Sequence, residues 1–90
     1  MSTPPLPTPR TGLLERALGD ELALFDVEAG IVHTLNPSAA IVWKGLLQSY
    51  DRSRLATQLK EVFALDDAGA EQGIDEALEE FRRAGLVEEG

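Results

Sequence analysis

The segment Ile31-Val32-His33-Thr34-Leu35 runs without a break into Asn36-Pro37. Its five residues have strand character, and none of them is Asp, Glu, Lys or Arg. Asn36-Pro37 opens a helix. Asparagine caps, and proline suits the first helical position because its missing N–H would be unbonded there anyway. The chain must therefore combine a sheet with helices, and the free side of this strand needs an explanation. Proteins usually protect a sheet edge with charge, proline or a bulge. An edge without such protection is either covered by the chain itself or kept open for a partner.

Two further strands are expected upstream. Leu13 to Leu18 is one, interrupted by Glu15 and Arg16; Glu21 to Val27 is the other. In the second, Leu22 and Leu24 share one face and Ala23, Phe25 and Val27 the opposite one. Gly19-Asp20 suits a two-residue hairpin turn, and Gly30 supplies the left-handed residue of the next loop. Short connections make neighbours antiparallel, so the three strands form a meander with the first and third at its edges.

Three helices follow. Ala39, Trp43, Leu46, Leu47 and Tyr50 form one apolar stripe on a helix from Pro37 to about Ser49. Asp51 caps a second helix, in which Leu55, Leu59, Val62 and Phe63 repeat that spacing. After Asp66-Asp67 comes a third, with Ile74, Leu78 and Phe81 along one side and Ala77 beside them. Gly73 weakens it by roughly 1 kcal/mol relative to alanine. Gly85 ends it, and Leu86-Val87 folds back onto the core. The expected fold class is α+β and winged helix-turn-helix-like: an N-terminal three-stranded antiparallel sheet followed by three helices on one face. Residues 1–12 hold four of the five prolines and read as a disordered or extended Pro-rich tail. Residues 13–90 are then a single folded domain.

Composition excludes several kinds of function. Sixteen acidic against eight basic side chains give a net charge of −8, which repels nucleic acid. Without cysteine there is no disulfide, thiolate metal site or thiol nucleophile. His33 is the single histidine, with no nucleophile or second ligand obviously partnered to it. Asp75-Glu76 and Glu79-Glu80 lack the spacing of a calcium loop and read as a solvated helix face, with Glu79 pairing Arg83. No phosphate-binding glycine loop occurs. Trp43 and Phe81, at helical spacing among leucines, read as core. No enzyme, metal or cofactor is expected. Nor is there a run of membrane-spanning length or a secretory signal, so a cytoplasmic protein is the default.

The uncharged strand remains. An incoming extended peptide can add a fourth strand there, with main-chain hydrogen bonds supplying affinity and side-chain pockets supplying selection. Ile31, Val32, His33, Thr34 and Leu35 form that edge. The third helix would be the opposite wall, with Leu78 and Phe81 as apolar contacts and Arg82 holding an acidic peptide residue.

The run Leu35-Asn36-Pro37-Ser38-Ala39-Ala40-Ile41-Val42-Trp43, followed by Leu46-Leu47, resembles the PqqD-like proteins, the RiPP recognition elements. So do the spacing of Leu55, Leu59 and Phe63, the group Ile74-Asp75, Leu78 and Phe81, the ending Gly85-Leu86-Val87 and the turn Asp26-Val27-Glu28-Ala29-Gly30. The resemblance covers about Leu13 to Glu89. It implies a winged-helix-like domain that binds the leader segment of a ribosomally made precursor peptide, as an extra strand between the third strand and the third helix. The domain then presents the peptide to a modifying enzyme, often a radical SAM protein, or to a leader peptidase or cyclase. By position, the resemblance places Ile31 to Leu35 and Ile74, Leu78, Phe81 and Arg82 in that cleft. Two alternatives stay open from the residues: a winged-helix DNA-binding regulator, and a module that dimerises edge to edge through the same strand.

Overall fold

The structure is a computed structural model and describes residues 6–88. Its elements are β1 (Thr8–Pro9), β2 (Leu13–Leu18), β3 (Glu21–Asp26), β4 (Ile31–Leu35), α1 (Pro37–Leu47), α2 (Arg52–Phe63), α3 (Asp67–Ala84) and β5 (Val87–Glu88). The main sheet has the order β2-β3-β4, antiparallel throughout, as the short connections require. The second hairpin closes at Asp26 rather than Val27. Asp26 accepts from the Gly30 N–H through its carbonyl and from the Ala29 N–H through its carboxylate, which ends the strand there.

Register decides which side chains face the helices. Leu22 lies across from Leu35, and Leu24 from His33. Leu22, Leu24 and Leu35 are buried, so that face of the sheet is the core face. Ala23 is buried on the other face, where Arg16 and Thr34 flank it in register. A small residue suits the centre of that row, because its longer neighbours shield it.

The helices start as their sequences dictate. Asn36 accepts from the Ala39 N–H at 2.8 Å, with Pro37 in the first turn. Asp51 accepts from the Arg54 N–H, and Asp66 from the Gly69 N–H. Each satisfies a backbone donor that the helix cannot reach. Of the α1 stripe, Ala39, Trp43 and Leu46 are buried with Val42 beside them, whereas Leu47 is exposed and Tyr50 half-buried. Trp43 meets Phe81 of α3 edge to face, with ring centroids 5.4 Å apart. Leu86 folds back after α3 and is buried, as its position after Gly85 predicts. Two expectations for α2 fail. Leu55 and Leu59 are buried, but Val62 and Phe63 are exposed, because they line an open groove against α1 and the β2–β3 hairpin instead of a filled interface.

The expected Pro-rich tail needs correction. Residues 1–5 lie outside the described residues, but those that follow are ordered. Thr8 and Pro9 pair antiparallel with Glu88 and Val87, Leu6 packs against the core, and Pro7 is buried. Proline cannot donate, yet at a sheet edge it needs no donor on its solvent side. Composition could not reveal a partner at the far end of the chain. The fold remains a three-stranded sheet followed by three helices, with this small terminal sheet added.

Candidate functional site

β4 is hydrogen-bonded to β3 on one side, and no other described strand pairs with it. Its outer row of N–H and C=O groups faces away from the sheet. The register sorts its side chains. Ile31, His33 and Leu35 lie across from Asp26, Leu24 and Leu22, on the helix side. Val32 and Thr34 lie across from Phe25 and Ala23, on the open side. Leu35 is fully buried, His33 half-buried, and Ile31, Val32 and Thr34 exposed. The strand is thus anchored at its C-terminal end and accessible towards its start.

Both ends of β4 are held. At the far end Asn36 turns the chain into α1. At the near end stands Asp26, the one buried charged residue in the described chain, which pairs with Ile31 in register. Arg10 donates to its carboxylate at 2.6 Å. That hydrogen bond first, then the Ala29 N–H, hold Asp26 below the usual carboxylate range. The same contact raises Arg10 above its ordinary value. Sequence reading did not find this pair. One signal was available: Arg10 is the only charged side chain before Glu15.

Of the α3 residues expected in the same cleft, the three apolar ones, Ile74, Leu78 and Phe81, are buried, with Leu78 at 3% exposure and Phe81 at none. Their stripe covers the core, and Phe81 in particular packs on Trp43. Arg82 is exposed on α3. Along β4, the side chains that reach the surface are therefore Ile31, Val32 and Thr34, with His33 half-buried. Leu35 and the three apolar α3 residues lie behind that surface.

Asp67, Glu71, Asp75 and Glu79 of α3 are each ion-paired. Arg52 of α2 reaches Glu71 and Asp75 of α3, Lys60 reaches Asp67, and Arg83 reaches Glu79 one turn away. Among the described residues no group of three or more His, Cys, Asp or Glu could hold a metal ion. No described helix is long and apolar enough to cross a membrane. A separate apolar groove of 330 Å³ opens between the β2–β3 hairpin tip, α1 and the end of α2. Leu22, Ile41, Val62 and Phe63 line it, with Lys44 at its side, and β4 contributes nothing to it.

Residues 21–87 match the model of the family described as coenzyme PQQ synthesis protein D (PqqD). The match begins at β3, so it takes in β4 and all three helices but not Arg10. Among solved structures, one described as "TbiB1 in Complex with the TbiA(beta) Leader Peptide" superposes with a TM-score of 0.79. It is 15% identical, and the match covers 90% of this chain and 94% of that one. At that identity the likeness is one of fold. No curated protein matches.

Proposed function

The chain belongs to the PqqD family, and from that membership and the unpaired edge of β4 we propose that it is a non-catalytic adaptor for the leader of a ribosomally made precursor peptide. The leader adds as a strand along β4. The carrying observation is that β4 has one hydrogen-bonded neighbour and no charged side chain to discourage a second. Main-chain bonds hold the leader in place. Ile31 and His33 meet its side chains on the helix side, and Val32 and Thr34 on the open side.

The inner wall is α3. Ile74, Leu78 and Phe81 support that wall from behind, and a small outward movement of α3 is needed before a guest side chain reaches Leu78 or Phe81. Arg82 is the α3 residue offered to an acidic group of the leader. The solved complex of TbiB1 with a leader peptide supports the reading, because a chain of this fold accepts such a guest. A modifying enzyme, of the radical SAM class or a leader peptidase or cyclase, takes the peptide onward. The reading puts the adaptor in the cytoplasm, where precursors are made.

Titration of the isotope-labelled chain tests this. The reading expects a short precursor to be encoded beside this chain, and a synthetic peptide spanning its leader is the probe. Amide shifts should concentrate at Ile31–Leu35. Shifts confined to the groove at Val62 and Phe63 would refute strand addition at β4. A dimer in sedimentation that the peptide leaves intact would favour edge-to-edge association instead. Tight binding to duplex DNA at low salt would favour a regulator, against the net charge of −8.

A further inference from the structure

Arg10 lies outside the matched residues and outside the strand that receives the peptide. Yet its side chain and backbone join three segments. Its backbone N–H donates to the Leu86 carbonyl at 2.9 Å. One guanidinium nitrogen donates to the Gly85 carbonyl at 3.1 Å, and another to the Asp26 carboxylate at 2.6 Å. Gly85 is the left-handed cap that ends α3. Asp26 pairs with Ile31, the first residue of β4, and fixes the intervening turn by accepting from the Ala29 N–H at 3.2 Å. The two walls of the proposed cleft are therefore tied together at one end through a single guanidinium.

Chemistry favours arginine here. A guanidinium is planar and carries several donors in a fixed fork, so it can hold a carboxylate and a carbonyl at once. Lysine offers a point charge on a flexible stem. Asp26 is mostly buried, so it is not left to water when the contact breaks. The pairing of Thr8 and Pro9 with Glu88 and Val87 holds Arg10 in place beside both partners.

We propose that Arg10 is a positioning residue for peptide binding: with Asp26 and the Gly85 carbonyl it forms a latch that fixes the start of β4 relative to the end of α3. This rests on the reading that the leader binds along β4. With the latch closed, the start of β4 and the end of α3 keep a fixed relation before the peptide arrives. With it open, that order must be supplied on binding, and affinity falls.

The test uses the full chain and three variants: Arg10→Gln, Asp26→Asn and Arg10→Lys. Amide hydrogen exchange is read first, without peptide. Asp26→Asn should speed exchange at Leu86, whose amide donates to the Phe81 carbonyl in the last turn of α3, as well as in the turn at Ala29 and Gly30, where the side-chain amide oxygen still accepts but more weakly than a carboxylate. Arg10→Gln should do the same. A local role for Asp26 would confine the effect to the turn, and an undisturbed Leu86 overturns the latch. Calorimetry with the synthetic leader peptide is read second. Arg10→Gln and Asp26→Asn should each weaken binding roughly tenfold, and the double variant little more than either, because they break one unit. Arg10→Lys should fall between, keeping the charge but losing the fork. Wild-type affinity in Arg10→Gln overturns the latch and leaves strand addition standing. No binding by the wild-type chain overturns strand addition, and the latch is then decided by the exchange data alone. Should Arg10→Gln fail to fold, Asp26→Asn carries both measurements, because its amide oxygen still accepts from Ala29.

Discussion

The sheet has two open edges, and they differ. β2 and β4 each pair only with β3 among the described strands. β2 carries Glu15 and Arg16 at its centre, whereas β4 carries no charge. Their apolar exposure is alike: Leu14 is 60% exposed and Val32 54%, on the same face and both in register with Phe25. Anchoring separates them further. Every residue of β2 after Leu13 is exposed, but β4 is fixed by Leu35 in the core and by the Asn36 cap. Charge on β2 disfavours pairing with a foreign strand, since a charged side chain beside an incoming chain loses water without gaining a partner. A receiving edge must be both uncharged and held still. β4 meets both conditions and β2 meets neither.

The largest expected effect comes from proline. Neighbouring residues on a strand aim their N–H groups to opposite sides, so of His33→Pro and Thr34→Pro one removes an outward donor and the other a rung to β3. The outward variant should stay folded and bind leader about 100-fold more weakly, an energy of ~2.7 kcal/mol. Its partner should lose stability instead. The matched pair on β2, Glu15→Pro and Arg16→Pro, should leave leader affinity within about twofold by the same argument. Equal losses at both edges would erase the distinction drawn here.

Charge placement should have a smaller effect. Val32→Lys puts an ammonium beside the receiving edge and should weaken binding about tenfold, whereas Leu14→Lys at the matching position on β2 should do almost nothing. Calorimetry on both variants measures the contrast. Asn36→Ala should lower stability by about 1 kcal/mol in chemical denaturation through loss of the cap. It should also loosen β4 in hydrogen exchange more than β2, because the cap adjoins only β4.

The smallest effect is on acidification. Folding holds Asp26 below the usual carboxylate range. Its ion pair therefore stabilises the fold above the unfolded-state value, and that stabilisation is lost as pH falls through the lowered folded value. Thermal melts of the wild-type chain and Asp26→Asn should differ at neutral pH and converge in strong acid. A constant offset across the range would show that Asp26 acts through its shape rather than its charge.

Local patterns predicted most of this architecture. Alternation located β3, and Asn36 and Asp51 announced their helices because a cap acts within three residues. The bare edge was legible for the same reason, since missing charge is a property of five consecutive positions. What was not legible was longer in range. Ile74, Leu78 and Phe81 have the pattern of both a wall and a core, and the packing of Phe81 on Trp43 shows that they serve the core. Val62 and Phe63 continue the stripe of α2 into a groove that the neighbouring elements leave open. Arg10 finds Asp26 sixteen positions away and Gly85 seventy-five positions away, separations at which composition carries no information.

Trp43 is the only tryptophan in the chain. It sits on the helix that continues from β4 and touches Phe81 of α3. Its indole N–H is buried and has no hydrogen-bond partner among the described residues. Any relative motion of the edge and the wall must change the surroundings of this ring. The protein therefore carries its own optical gauge, and ultraviolet excitation of the unlabelled chain can follow a guest arriving in real time.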